Sequence, residues 1–321
     1  MRFAAGRIAS RQVWERVRRS LVPLGYSAAL LLLAATAVTA QTALPVNGNV
    51  RIGLSARSLD NANRGDVTAA MKAWLLIVAQ EAHVPVQTDA RVFDTLAEME
   101  SALLRERIDV LDAPTDEFVA LEKVTPLSRI FTSRVHGQIT EQYMLLVNQD
   151  GPVHEFKDLR GQTLLLLDSP RTALAPSWLE LELLRRKLPA SPRFFGKITR
   201  PSKPGLAIFP VFFKQAGAAL VTRSSFETAS ELNPQLARTL RVLDCSPEVI
   251  PTVGAFRANA LTGAVDFYRR SALQLGQTEG GKLVLNLFKA DAVVEIKDSD
   301  LAGTRALLAD YARLKAQGAT P

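Results

Sequence analysis

Apolar residues recur along the chain in two alternating patterns, and this alternation predicts an α/β fold. Short apolar runs bounded by Gly, Pro, Asp or Asn are typical of buried strands, whereas apolar positions three or four residues apart are typical of helices. The first strand is predicted at 50–54, and a helix that begins after Asp66 places Val67, Met71, Trp74 and Leu75 on one face. Similar pairs follow along the chain, which predicts layered sheets with mainly parallel strands.

Two long apolar segments divide this pattern into two lobes. They lie at 141–148 and 249–256, and they separate an outer part (49–140 plus 255–317) from an inserted part (147–248). The other predicted strands are at 86–92, 108–111, 164–167, 193–198, 218–221 and 240–243. Two α/β lobes joined by two crossovers form a hinge, and such a layout permits closure around a ligand.

The N-terminal region has the pattern of a signal peptide. Six arginines precede an apolar run at 21–38, and small residues follow at Val38-Thr39-Ala40. We therefore predict a signal peptide over 1–40, cleaved near Ala40, and a periplasmic mature protein. Two alternatives stay open: the run is just long enough for an N-terminal membrane anchor, and Arg18-Arg19 resembles a twin-arginine export signal.

Removing this leader changes the interpretation of the charge. The whole chain has a formal net charge of +7, but 33 Lys and Arg against 31 Asp and Glu remain after residue 40. A basic chain would suggest nucleic acid as a partner, and the nearly neutral mature chain does not support one. The single Cys245 indicates neither an intramolecular disulfide nor a zinc or redox dithiol site.

No enzyme signature is complete in the sequence. Arg57 stands where a nucleophile elbow after Gly53 would need its second glycine, and Leu283 replaces the hydroxyl residue of a phosphate loop at Gly281-Lys282. The three histidines have no metal-ligand spacing. We therefore predict a protein that is not an enzyme and that uses no metal and no cofactor.

Polar strand-to-helix junctions are the informative feature. In open α/β sheets ligands bind beyond the carboxyl ends of strands, where helix N-termini present free N–H groups. Hydroxyl groups occur at all four such junctions and arginine at three, which favours an anionic ligand, although ordinary helix caps would use the same residues. The junctions are Ser55-Ala56-Arg57-Ser58, Asp112-Ala113-Pro114-Thr115, Ser169-Pro170-Arg171-Thr172 and Thr222-Arg223-Ser224-Ser225. Ser55, Arg57 and Thr115 are the candidates in the first lobe.

Several segments resemble one known family. They are Ile108-Asp109-Val110, Asp158-Leu159-Arg160-Gly161-Gln162-Thr163, Phe209-Pro210-Val211-Phe212-Phe213, Ala218-Ala219-Leu220-Val221-Thr222 and Glu231-Leu232-Asn233-Pro234-Gln235. Together they are similar to the phosphate, phosphite and phosphonate-type periplasmic substrate-binding proteins of ABC transporters. The resemblance implies the type II periplasmic-binding-protein fold, with two α/β lobes, a two-strand hinge and a cleft. It also implies binding roles for Tyr143, Ser169, Arg171, Thr172, Thr222 and Ser224.

The resemblance has one departure. Related proteins carry a Ser/Thr-Ser-Gly stretch after the first strand of the second lobe, where this chain has Asp168-Ser169-Pro170-Arg171. Pro170 lacks an N–H group and no glycine permits a close backbone approach, so an oxyanion other than a phosphonate stays open.

The resulting hypothesis is a monomeric, secreted solute-binding protein that captures a small anionic solute for an ABC permease. The alternative is a periplasmic sensory or partner-binding module on the same fold, which would present its closed form to a membrane sensor protein.

Overall fold

The computed structural model describes residues 48–59, 63–260 and 262–318, and its strands form two sheets. The strands are β1 (Gly48–Ser55), β2 (Val86–Phe93), β3 (Val110–Pro114), β4 (Leu127–Arg134), β5 (Tyr143–Asn148), β6 (Thr163–Leu166), β7 (Lys197–Thr199), β8 (Ala218–Thr222), β9 (Leu240–Cys245), β10 (Thr252–Arg257) and β11 (Ala292–Glu295). The helices are α1 (Arg64–Glu81), α2 (Leu96–Leu104), α3 (Thr115–Leu121), α4 (Ala175–Arg185), α5 (Ser191–Phe194), α6 (Pro204–Phe212), α7 (Arg223–Leu232), α8 (Gln235–Thr239), α9 (Gly263–Leu273), α10 (Glu279–Leu287) and α11 (Ala302–Gly318).

Both sheets are mixed, so the expectation of mainly parallel strands was wrong. The first sheet has the order β11-β4-β10-β3-β1-β2, and the second has the order β7-β6-β8-β5-β9. Strand β1 is parallel to β2 and β3, and β6 is parallel to β7 and β8, but β10 and β5 are antiparallel to their neighbours. The physical reason is the crossover: β5 and β10 each arrive from the other sheet, so they start where the parallel strands end. Strands β4 and β11 were missed by the sequence analysis.

Helix α1 shows how the apolar pattern builds the first core. Its Asn63 side chain accepts hydrogen bonds from the Gly65 and Asp66 amides, so the helix begins three residues before the predicted start. The apolar face then buries Val67, Met71, Trp74 and Leu75 against the sheet. Helices α9 and α10 complete this layer, and α2 and α3 cover the other face.

The second sheet is covered on both faces in the same way. Helix α4 packs Trp178 and Leu181 on one face, with β6 residue Leu164 beneath them. Helix α6 packs Ile208 and Val211 on the other face. Both layers are needed because the central strand β8 has no exposed residue and would otherwise leave apolar side chains in water.

The two sheets are connected by adjacent segments. One leads from β4 to β5 and the other from β9 to β10, and they pair in an antiparallel bridge between Glu141 and Val249. Helix α11 contacts both halves: Arg305 pairs with Glu122 after α3, and Asp310 pairs with Arg185 of α4. Leu307 of α11 lies in the core beneath α4, although the sequence analysis placed 255–317 wholly in the outer lobe.

The predicted signal peptide and the cleavage near Ala40 lie outside the described residues. Within the part that is described, no helix combines the length and apolar character that a bilayer crossing needs. The proposed lobe boundaries stay a prediction.

Candidate functional site

The four polar junctions lie at the carboxyl ends of β1, β3, β6 and β8, where the two sheets adjoin. A direct contact joins the sheets at this place: the Arg57 guanidinium donates to the Ala173 carbonyl oxygen at 3.3 Å. The four predicted junctions therefore lie together at one place in the fold. What each side chain does there differs from residue to residue.

At the first junction Arg57 is already bound to carboxylates of the protein. Its Nη1 atom lies 3.0 Å from Asp116 and 2.9 Å from Glu117, which begin helix α3. Burial opposes ionisation of Arg57, but these carboxylates outweigh it and raise the pKa of the guanidinium. Ser55 is buried and accepts a hydrogen bond from the Arg57 amide at 3.2 Å, so it caps the turn.

Thr115 and Tyr143 are buried rather than presented to a ligand. The Thr115 hydroxyl donates to the Ile250 carbonyl at 2.5 Å, which ties the start of α3 to the connection between the sheets. Tyr143 has no exposed surface, and burial raises the pKa of its phenol above the ordinary value. Both side chains lie in the interior beneath the junctions and not on their surface.

The third junction is held by its own hydroxyl. The Thr172 side chain donates to the Leu167 carbonyl at 2.6 Å and accepts from the Ser169 amide at 3.1 Å. These bonds close a short turn, and Thr172 itself is buried. Ser169 is partly exposed and faces a cavity described below.

A carboxylate that the sequence analysis did not select fills the start of α7. Glu141 is buried and accepts from Arg171 Nε at 2.9 Å and from the Ser224 hydroxyl at 2.7 Å, and the Ser224 amide lies at 3.4 Å. Thr222 caps the same helix through the Ser225 amide at 3.1 Å. The place at which we expected a bound anionic ligand is therefore occupied by the Glu141 carboxylate of the protein itself.

Two cavities flank this cluster. The acidic cavity, of about 630 Å³, is lined by four glutamates (141, 227, 231 and 248) and by Arg171 and Arg223. The junction cavity, of about 310 Å³, lies between the turn after β1 and the turn after β6. Arg57, Ser169 and Thr172 of the predicted set line the junction cavity, and its other charged residues are Asp168 and Arg200.

Arg200 is the second residue that the sequence analysis missed. It is exposed, and among the described residues no carboxylate or hydrogen-bond acceptor pairs with it. It follows the last residue of β7, which is the parallel neighbour of β6, so it belongs to the same class of junction. An arginine directly after a strand is the sequence feature that could have identified it. The strand was predicted to end at Ile198, two residues before Arg200, so the feature was not noticed.

No group of three or more His, Cys, Asp or Glu side chains in the described ranges is placed to hold a metal ion. Cys245 is exposed and unpaired, as its single occurrence requires.

Residues 61–301 match the family model described as "ABC transporter, phosphonate, periplasmic substrate-binding protein". No curated protein matches the sequence significantly.

Solved structures share the fold at low sequence identity. XAC2383 from Xanthomonas citri, bound to a chloride ion, is 16% identical, with a TM-score of 0.61 over 84% of this chain and 99% of that chain. A binding-protein component of a phosphonate ABC transporter from Pseudomonas aeruginosa is 16% identical, with a TM-score of 0.57 over 85% and 90%. PhnD1 from Prochlorococcus marinus, in complex with methylphosphonate, is 14% identical, with a TM-score of 0.52 over 81% and 96%. The predicted type II periplasmic-binding-protein fold is confirmed.

Proposed function

We propose that this chain, which belongs to the family of periplasmic substrate-binding proteins of phosphonate ABC transporters, captures a small anionic solute in the junction cavity. The family is one of solute binders that work with membrane permeases, and no step of catalysis is part of the proposal. The leader over 1–40 would direct the chain to the periplasm. The lobes at 49–140 plus 255–317 and at 147–248 would close on the solute.

The observation that carries this proposal is the unpaired cation in the junction cavity. The charge of Arg57 is neutralised by Asp116 and Glu117, so Arg200 is the cation that the lining offers to a solute. An unpaired guanidinium offers up to two parallel N–H donors to a carboxylate, sulfonate or phosphonate. The acidic cavity would repel the same ligand, because its four glutamates exceed its two arginines.

The size of the cavity limits the solute. A volume of about 310 Å³ is at the lower end of ordinary ligand pockets, so it suits an oxyanion with a few carbon atoms. Arg200, Arg57 and Ser169 are the proposed contacts. Ser55, Thr115, Tyr143, Thr172, Thr222 and Ser224 would hold the surrounding turns, and Arg171 would hold Glu141.

A thermal-shift and calorimetry screen tests the proposal. We expect one compound among methylphosphonate, phosphite, phosphate, methanesulfonate and acetate to raise the melting temperature, because binding to the folded state alone stabilises it by about 2.7 kcal/mol at 100 times Kd. Arg200→Gln should weaken that binding at least about tenfold through the lost charge-assisted hydrogen bonds. Its free melting temperature should not change, since Arg200 has no partner in the described residues.

Lys203→Gln is the matched control. Lys203 is exposed, lies three residues further on and does not line the junction cavity, so its removal should leave the affinity unchanged. A flat response to every compound at millimolar concentration would refute the proposal, and so would an Arg200→Gln variant that binds as tightly as the unaltered chain.

A further inference from the structure

Helix α6 is apolar on every side but buried on only one. Its nine residues, Pro204–Phe212, include no polar side chain. Ala207, Ile208 and Val211 have no exposed surface and pack on the second sheet. A helix that is apolar all round belongs inside a protein or a membrane, so its other side lacks a partner.

The uncovered side forms one continuous stripe. Leu206 is 60% exposed, Phe209 is 41% exposed, and Phe213, directly after the helix, is 62% exposed. Their spacing of three and four residues places them on one face of the helix. Single exposed apolar residues are common, but three large ones in a row mark an interaction surface.

The chain on either side of this stripe is basic, and the glutamates of the adjoining helix α7, Glu227 and Glu231, line the acidic cavity. The 40 residues from Lys187 to Phe226 contain seven Lys and Arg and no Asp or Glu. Lys203 directly precedes α6 and Lys214 follows it closely; both are exposed, and neither has an ion pair within the described ranges. Lys197 lies on the same side, because the alternate residue Ile198 packs into the core on the opposite face of the sheet.

We infer that α6 and its flanking lysines (the α6 surface: Lys203, Leu206, Phe209, Phe213 and Lys214) bind an anionic lipid membrane. Leu and Phe side chains can enter the boundary between head groups and acyl chains, and lysines on either side of them can reach the phosphates. The helix has no hydrogen-bonding side chain for a directional protein contact. The flanking lysines therefore favour a partner with an anionic surface, and the apolar stripe favours a lipid membrane as that partner.

Sedimentation with protein-free vesicles tests this inference. The chain from Ala43 onward is suitable, since it forms one compact unit that contains all four apolar cores. At about 0.15 M salt we expect binding to vesicles of mixed phosphatidylglycerol and phosphatidylcholine, and little binding to phosphatidylcholine alone. Each lysine near an anionic surface contributes about fivefold in affinity.

Two variants and one control separate the contributions. The double variant Phe209→Ser and Phe213→Ser should weaken vesicle binding at least about tenfold. The double variant Lys203→Glu and Lys214→Glu should weaken vesicle binding by at least as much. This variant alters no buried residue, so it tests the inference even if the first variant unfolds. The control is Leu76→Ser with Ile77→Ser on α1, where two exposed apolar residues lie outside the α6 surface, and binding should persist.

Three results would overturn the inference. They are an absence of binding to anionic vesicles, equal binding to vesicles without anionic lipid, and equal losses in the α1 control and in the α6 variants. The first of these results, together with binding to native membranes that still contain protein, would show a protein partner instead of a lipid one. The solute-binding proposal is independent of all these results, because none of the variants alters a residue that lines the junction cavity.

Discussion

Two carboxyl groups, the buried Glu141 and the partly buried Asp112, have different surroundings. Glu141 lies between the sheets and accepts hydrogen bonds from Arg171 and Ser224. Asp112 faces a cavity of about 60 Å³ within the first sheet's helical layer, with mostly apolar residues and the phenol of Tyr268 around it. The burial that raises the pKa of Asp112 to about 7 also raises the pKa of Tyr268.

The difference shows what a carboxylate needs when it leaves water. Desolvation disfavours the charged form of a carboxyl group, and positioned donors offset this cost. The interface between the sheets supplies a guanidinium and a helix start to Glu141, whereas Asp112 has the Ser58 hydroxyl, which lowers its pKa less than burial raises it. Glu141 therefore stabilises the fold through its ion pair with Arg171, and Asp112 costs stability whenever it ionises.

The largest effect should come from removing the charge at the interface. We expect Glu141→Ala to lower the free energy of unfolding by about 3–4 kcal/mol, because it leaves Arg171, only 23% exposed, without its partner. Urea denaturation measures this loss. Glu248→Ala is the control: among the described residues its exposed carboxylate meets only the Thr140 hydroxyl, so it should cost less than about 1 kcal/mol. Equal costs for the two variants would contradict the assignment.

The raised pKa of Asp112 predicts that stability depends on pH. The pKa of Asp112 is about 7 when folded and near 3.8 when unfolded, so the folded state holds its proton more tightly. Stability should therefore fall as the pH rises from about 4 through 7. Asp112→Asn removes this loss, and its advantage over the unaltered chain should grow by about 2–3 kcal/mol between about pH 5 and pH 8. Thermal unfolding at both values measures it, and an advantage that does not depend on pH would exclude Asp112 as the cause.

The smallest effect should come from a single hydroxyl at the start of α7. Ser224→Ala removes one donor to Glu141, and we expect a cost of about 1–2 kcal/mol. Ser230→Ala, on the same helix, is the matched control, because the Ser230 hydroxyl has no hydrogen-bond partner in the described structure. Chemical denaturation of both variants should separate them; indistinguishable stabilities would mean that Ser224 does not hold Glu141 in place.

Much of the fold could be predicted from the sequence, since most strands and helices follow clear apolar periods. Strand β4 was missed because its period is broken. Arg129 has a left-handed backbone with φ 48°, and the pairing with β10 shifts register between Gly254 and Phe256. Gly254 is required there, since a Cβ atom would lie 2.0 Å from the Phe131 ring. Strand β11 has only four residues, all at least partly exposed, which is too short to show an alternation.

The position of the polar junctions could be predicted from the sequence, but the ion pairs among their residues could not. Junction residues can be located because they follow strands. Glu141 instead precedes a strand, and its partners Arg171 and Ser224 are 30 and 83 residues away in sequence. Which arginine is neutralised and which is available depends on these long-range pairs, and no local pattern carries that information.

Helix α11 has a mechanical consequence for any closing motion. Its ion pairs with Glu122 and Arg185 fasten it to both halves, and the Thr304 hydroxyl accepts from the Ile250 amide in the connection between them. A movement that keeps all three contacts would rotate one half of the protein relative to the other about α11. Sliding or twisting of one half against the other would break at least one of them.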